Sequence, residues 1–215
     1  GGLAVALLLL AHTAASLVLL GPLLVWGVAV VAAHSATAGR RWLALAGLFT
    51  LGLALAAFAW LPALTEIQFT RYAAEASKVW YGDHFTTLWD WPGTAVAGLR
   101  GAYLPKTVGL VMLLLGVGGT AVSAGSLWTW RRCGGAFPTR DAAFLTAGLL
   151  GWAVLFFTLP ASDLIWRLVG PLRGLQFPWR LLDVPAFFLP IAVLGIFNRR
   201  ERGGRGEKEK TLRSL

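Results

Sequence analysis

Long hydrophobic runs divide the chain, and short polar or charged segments separate them. Five of the runs cover about twenty residues each, at 14–33, 42–61, 108–128, 142–159 and 178–197. As a helix, a run of that length reaches about 30 Å, which is the thickness of the hydrocarbon part of a bilayer. We therefore predict an all-α protein, a polytopic bundle of about five full transmembrane spans.

The first ten residues are also apolar, but a bilayer span needs about 20 helical residues. Because the chain opens with Gly1 and Gly2 and has no charged segment there, this run does not resemble a signal peptide. We expect a partial first helix, with the chain being a fragment of a longer protein. Pro22, Pro185 and Pro190 lie inside predicted spans and should kink or unwind them, since proline removes a backbone donor.

Two longer segments, 62–107 and 160–177, carry too many charges, aromatics and turn formers to face lipid. We predict that they are external loops carrying short interfacial helices. In the first loop, residues 65–68 fit a capping box, and the apolar positions that follow have helical spacing. In the second, Ser162 and Asp163 are candidate N-caps.

The span at 108–128 has a face of small residues, which favours close contact with another helix. We therefore expect it to be an interior helix of the bundle. The small residues on this face are Gly116, Gly118, Gly119, Ala121 and Gly125.

The distribution of charged residues predicts how the helices are oriented in the membrane. The net charge is +9, yet only 13% of residues are charged, and the cations lie at the ends of apolar runs rather than on one face. We expect no nucleic-acid partner from that distribution. Arginines and lysines crowd the links 34–41 and 129–141 and the tail 198–215, which places these segments in the cytoplasm. The prediction is a transmembrane domain, 1–197, in the inner (cytoplasmic) membrane, followed by a basic cytoplasmic tail that is disordered.

The first loop holds the residues that could carry chemistry outside the membrane. Asp83, His84 and Asp90 could exchange protons, although solvated loop residues are the more ordinary explanation. Trp89 and Trp91 could stack on sugar rings, but an interfacial aromatic belt is the commoner role. With one cysteine and no HxH spacing among three histidines, we expect no disulfide, metal or cofactor.

Residues 162–183, SDLIWRLVGPLRGLQFPWRLLD, form the most specific segment. They resemble a segment of bacterial and archaeal membrane proteins known as 6-pyruvoyl-tetrahydropterin synthase-related, which are similar to GT-C glycosyltransferases. Two further stretches agree: FAWLPAL at 58–64, and AHT at 11–13, where Thr13 replaces the family's asparagine. The motifs within 162–183 that carry the resemblance are Ser162, Ile165-Trp166, Pro171-Leu172 and Gln176-Phe177-Pro178-Trp179-Arg180.

The resemblance implies a function. GT-C enzymes transfer a sugar from a polyprenyl-phosphate donor at the outer membrane face, and their catalytic acid lies in the first external loop. This chain resembles the later part of the family, so the catalytic acid is expected upstream of Gly1. The chain would be the C-terminal part of a multi-pass glycosyltransferase-like protein that contacts membrane lipids and a polyprenyl-phosphate sugar donor. The alternatives are a transporter or flippase of lipid-linked saccharides and a non-catalytic envelope-assembly scaffold.

A phosphate site is predicted where the second loop meets the last span. Arg180 could hold the lipid phosphate, because guanidinium is a rigid bidentate donor. Gln176 and Arg173 precede the helix start, where backbone donors favour anions, and Trp179 lies beside them. The alternative for Arg180 is that it snorkels to the interface or pairs with Asp183.

Overall fold

The computed structural model describes residues 1–11, 13–34, 38–66, 80–92, 107–134, 137–169, 172 and 177–213. These residues form helices and connecting turns, with no strand among them, so the predicted all-α class is confirmed. Short 3-10 helices are Tyr81–His84, Pro160–Ser162 and Pro178–Leu182. The α-helices are α1 Gly2–Ala11, α2 Thr13–Ala32, α3 Ala38–Leu55, α4 Ala57–Thr65, α5 Leu110–Cys133, α6 Thr139–Phe157, α7 Asp163–Leu168 and α8 Asp183–Arg213.

Three stretches in the described part of the chain are long and apolar enough to cross a membrane. They are Leu110–Cys133, Thr139–Phe157 and Pro178–Asn198, and they correspond to the last three predicted spans. The predicted span at 14–33 contributes only a shorter apolar stretch, Val18–Ala32. These apolar helices indicate a membrane protein, while the count of about five spans stays a prediction.

The predicted span at 42–61 is interrupted at Ala56, where α3 ends and α4 begins. The Trp60 indole N–H donates to the Leu53 carbonyl at 2.8 Å, an acceptor that a continuous helix would offer to residue 57. α4 continues through Pro62 to Thr65, four residues beyond the end of the predicted span at residue 61. The rest of the surface helix predicted after Thr65 falls on residues outside the described ranges.

The most enclosed membrane-length helix is α8. Half of its apolar stretch is buried, against 17% for the stretch in α5. The glycine face of α5 makes the predicted close contact, because a Cβ placed on Gly119 would lie 2.2 Å from the Ala192 carbonyl oxygen of α8. The prediction that α5 is interior is wrong, since Val111 and Leu114 on its other side are exposed.

Two of the apolar clusters lie between the long helices away from the loops. In the first, α1 packs against α3 and the residue that separates α3 from α4, through the buried residues Val5, Ala6, Leu9 and Ala56. In the second, α2, α6 and α8 meet through Leu19, Ala147, Val184 and Phe188. The indole of Trp26 adds a hydrogen bond from α2 to the Ala143 carbonyl of α6 at 2.9 Å.

The bundle has two ends that differ in composition. We call the end formed by 80–92, 158–168 and 177–182 the loop end, and the end formed by 128–134 and 137–141 the tail end. At the tail end the Asp141 carboxylate is 1% exposed and accepts a 2.8 Å hydrogen bond from the Asn198 amide, which ties α6 to α8. A polar link of this kind favours helix association where water is absent.

The three prolines near and in α8 remove fewer helical hydrogen bonds than their number predicts. Pro178 opens the 3-10 turn, and Pro185 is the third residue of α8, where no intrahelical donor is needed. Pro190 is inside the helix. The tail was predicted to be disordered, but its backbone is helical from residue 198 to Arg213. Extending an existing helix costs far less free energy than nucleating a new one.

Candidate functional site

A buried threonine pair fastens the first loop to the end of α6. Thr86 and Thr158 are both fully buried, with their hydroxyl oxygens 2.8 Å apart. The Thr86 N–H also donates to the Thr158 carbonyl at 2.8 Å. The Thr158 hydroxyl donates to the Leu155 carbonyl, and the Trp91 indole donates to the Thr86 hydroxyl at 3.0 Å. Each hydroxyl therefore both donates and accepts, which is how buried polar groups avoid a desolvation penalty.

The same loop is also joined to the start of α5. The Trp91 carbonyl accepts hydrogen bonds from the Thr107 hydroxyl at 2.9 Å and from the Gly109 N–H at 2.9 Å. Gly109 has a φ of 92°, in the left-handed region where glycine is favoured, and it is the residue before α5. Residues 80–92 are thus held between two membrane-length helices.

An aromatic stack supports this loop from the other side. The Tyr81 ring, 4% exposed, stacks on Trp166 with centroids 5.3 Å apart, and Phe85 meets both rings edge-on. The Trp166 indole donates to the Phe157 carbonyl at 2.9 Å. Since these rings come from the first loop and from α7, the stack joins two segments that lie more than 80 positions apart in sequence.

A polar triad lies beside the stack. The Tyr81 hydroxyl donates to one carboxylate oxygen of Asp163 at 3.0 Å, and Arg167 pairs with the other oxygen at 2.6 Å. Asp163 was a candidate N-cap, as was Ser162, but Asp163 is the first residue of α7. Ser162 occupies the N-cap position as predicted, but its hydroxyl donates backwards, to the Leu159 carbonyl at 2.7 Å, and makes no capping hydrogen bond to α7.

The contacts within this triad shift the pKa values of Tyr81 and Arg167. Burial, followed by the hydrogen bond to Asp163, raises the pKa of Tyr81 above its ordinary value. The hydrogen bond to Asp163 and the negative charge of its carboxylate raise the pKa of Arg167. Tyr81 is therefore neutral and Arg167 cationic at physiological pH. The Arg167 side chain is 63% exposed, and its positive charge is paired with the Asp163 carboxylate.

The predicted phosphate residue Arg180 lies next to the first loop. Its guanidinium carbon is 4.8 Å from the centre of the Phe177 ring, in a cation–π contact. His84 meets the same ring edge-on at 4.7 Å. The first loop and the turn before α8 therefore meet at a cation, an imidazole and a shared aromatic ring. Of the other predicted phosphate residues, Arg173 and Gln176 lie outside the described ranges.

The predicted tryptophans have different surroundings. Trp179 packs with Trp91 against the buried residues Leu155, Leu182 and Leu189, so both indoles are part of the apolar base of the loop end. Trp89 is 83% exposed. Of the two predicted sugar-stacking residues, Trp89 alone is therefore mostly exposed to the surroundings.

The acidic residues of the first loop have separate surroundings. The Asp90 carboxylate accepts hydrogen bonds from the Thr87 N–H at 2.6 Å and from the Thr87 hydroxyl at 2.9 Å, which shapes the turn. Asp83 is exposed in the 3-10 turn that also contains His84. Among the described residues, no three His, Cys, Asp or Glu side chains come together as a metal site would require.

Sequence reasoning missed Tyr81, Asp163, Arg167 and Phe177 as members of one site. Phe177 stands within the Gln-Phe-Pro-Trp-Arg motif, so that motif was a usable signal for it. The spacing of Asp163 and Arg167 on one helical face was a second signal. Their link to Tyr81 bridges two loops, and no local pattern reports it.

The loop end carries two guanidinium groups among its described residues. Its two described cations, Arg167 and Arg180, are held by a carboxylate and an aromatic ring respectively, on a base whose polar groups are hydrogen-bonded. Guanidinium groups favour phosphate and carboxylate ligands, and Arg167 already has such a partner in Asp163. Comparisons with known protein families, curated proteins and solved structures find no match for this chain, so its function is inferred from this chemistry.

Proposed function

We propose that the chain is the C-terminal part of a multi-pass, glycosyltransferase-like membrane protein that acts on a polyprenyl-phosphate-linked sugar. Its loop end holds the phosphate of that lipid. The observation that carries the proposal is the meeting of Arg180, Phe177 and His84 immediately before a membrane-length helix.

The position of Arg180 suits a lipid phosphate better than a soluble anion. It lies in the 3-10 turn Pro178–Leu182, at the end of an apolar stretch, where headgroups meet hydrocarbon. The Phe177 ring restrains the guanidinium through a cation–π contact with its planar face, and a guanidinium fork can donate to two phosphate oxygens. The exposed apolar surface nearby, at Leu164 and Leu168, would contact the first isoprene units.

The proposed arrangement has about five spans after a partial first helix, in the cytoplasmic membrane. The loop end faces outward, and the tail end faces the cytoplasm. This orientation rests on the arginine-rich links and on the positive-inside rule. It brings the proposed phosphate site to the face where lipid-linked sugars are used.

Cysteine labelling tests the orientation. The single native cysteine, Cys133, is exposed at the tail end, so it serves as one reporter without substitution. A Cys133→Ser, Leu88→Cys variant moves the reporter to the loop end, where Leu88 is 59% exposed. In intact cells a membrane-impermeant maleimide should label the second protein and not the first. The reverse pattern would invert the orientation.

The phosphate site is tested by comparing two ligands, a polyprenyl phosphate and the polyprenol of the same length, on the purified chain. The wild-type chain should bind the phosphate more tightly. Charge-assisted hydrogen bonds contribute about 1.5–3 kcal/mol, so Arg180→Ala should reduce this preference by about tenfold or more. Arg180→Lys keeps the charge but loses the fork and should fall between the two.

Two controls separate binding from general charge effects. Arg40→Ala removes one exposed cation from α3, away from the loop end, and should leave the ligand preference unchanged. A wild-type chain that does not distinguish the phosphate from the alcohol would contradict the proposed function. If Arg180→Ala keeps the full preference, then Arg180 is not the phosphate residue.

Sugar transfer is measured with the full-length protein in membranes. Arg180→Ala should abolish transfer without reducing insertion. A full-length protein that binds the lipid phosphate but transfers no sugar would instead fit a flippase or an assembly scaffold. Transport of the labelled lipid between the leaflets of a vesicle distinguishes those two.

A further inference from the structure

A cleft of about 320 Å³ opens at the tail end, between the last turns of α5 and the first turns of α6. Its inner walls are the apolar side chains of Leu127 and Leu145, with Ala124 at the deeper end. Along α5, the distance from Ala124 to Arg131 is two helical turns, or about 10 Å. The cleft is therefore a half-open, mostly apolar slot along α5, and it runs in the direction of the bilayer normal if α5 spans the membrane.

The mouth of the cleft is aromatic and cationic. The rings of Trp130 and Phe137 meet edge-on at 5.0 Å, and both line the cleft. Arg131 lines it as well. The Arg132 guanidinium lies 4.6 Å from the centre of the Trp128 ring, which fixes a second cation beside the opening. Aromatic rings with cations mark the level of lipid headgroups.

We infer that this cleft binds one anionic glycerophospholipid, with an acyl chain in the slot and the phosphate on Arg131. Charge selects the occupant, because a cationic mouth above an apolar slot matches a negative headgroup above a hydrocarbon chain. The volume is within the range of small-ligand sites. This site lies at the opposite end of the bundle from the proposed polyprenyl-phosphate site and does not depend on it.

Native mass spectrometry of the full chain tests the inference, using phosphatidylglycerol and phosphatidylcholine with identical acyl chains as probes. The chain should retain one phosphatidylglycerol in preference to phosphatidylcholine. A basic residue near a headgroup contributes enough that Arg131→Gln should reduce this preference about fivefold. Arg41→Gln is the matched control, because it removes the same charge from an exposed position on α3.

A second variant tests the slot while keeping every charge. Ala124→Phe places a ring in the deeper part of the cleft, so it should reduce retention of both lipids. Glycerol 1-phosphate has the anionic group without the chain, and it should neither bind measurably nor displace the lipid.

Several results would overturn the inference. Equal retention of the two lipids would remove the charge selection, and equal losses in Arg131→Gln and Arg41→Gln would show a general surface effect. Unchanged phosphatidylglycerol retention in Ala124→Phe would exclude the slot. Displacement by glycerol 1-phosphate would indicate a phosphate site without a lipid chain.

Discussion

Gly119→Ala tests the closest helix contact in the bundle. The added Cβ would lie 2.2 Å from the carbonyl oxygen of Ala192 and 2.5 Å from its carbonyl carbon, which are backbone atoms of α8. A carbon–oxygen contact between helices is about 3.3–3.6 Å long. Because a backbone cannot rotate away as a side chain does, α5 and α8 would have to separate by roughly 1 Å along this face.

The cost of that separation can be isolated with a neighbouring glycine. A Cβ on Gly118 would lie 3.5 Å from the Ile196 side chain, an ordinary contact, and one on Gly125 would meet nothing within 4 Å. All three substitutions gain the same helix propensity, about 1 kcal/mol. The difference between Gly119→Ala and Gly118→Ala is therefore the overpacking cost, which is about 1–3 kcal/mol.

Thermal unfolding in detergent, followed by near-UV circular dichroism of the eleven tryptophans, measures this difference. For a chain of this size, 1 kcal/mol corresponds to about 2–4 °C in Tm, so Gly119→Ala should unfold about 2–12 °C below Gly118→Ala. Gly125→Ala should match Gly118→Ala. Equal Tm values for all three variants would refute the close contact between α5 and α8.

Three further predictions concern the loops and the tail. Because the pKa of Tyr81 is raised, its stabilising contribution should be complete below about pH 10 and be lost as pH rises through the folded-state value. Tyr81→Phe should therefore remove from a spectrophotometric titration one phenol that ionises above the ordinary range, and an unchanged titration would contradict this. Thr86→Val should leave the Trp91 indole without its acceptor, at a cost of about 1–3 kcal/mol, and should speed hydrogen exchange of that indole, whereas Thr87→Val should not. Backbone chemical shifts of residues 198–213 should be helical, since α8 ends at Arg213, and random-coil shifts throughout would contradict this.

Hydrophobic length predicted the α5, α6 and α8 helices well, because lipid-length apolar runs have few alternatives to a helix. The break at Ala56 was not predictable from length. It coincides with a side-chain hydrogen bond from Trp60 to a backbone carbonyl, and an indole in an apolar run gives no sign of where its N–H will donate. The sequence also did not show that α8 is the more buried helix of the pair. The glycines on α5 indicate that another helix lies close, but they do not say which of the two helices is buried inside the bundle.

At the candidate site, the motif residue Arg180 was predicted individually, but its neighbours were not. The contact of His84 with Phe177 requires the first loop to fold back over the turn before α8. The Thr86–Thr158 pair, which joins positions 72 residues apart, is one of the contacts that hold the loop there. Such pairings are set by tertiary packing, and two ordinary threonines in a single sequence do not reveal them.

The two separate apolar clusters have a mechanical consequence. The loop end is fastened to α5, α6 and α8, whereas α1 and α3 are packed largely on each other, with Leu8 and Leu20 at the border between the groups. Since Leu8 of α1 packs on the second cluster and Leu20 of α2 packs on the first, these two leucines couple the two groups of helices. Shortening either to alanine should loosen one group from the other without emptying the centre of either cluster.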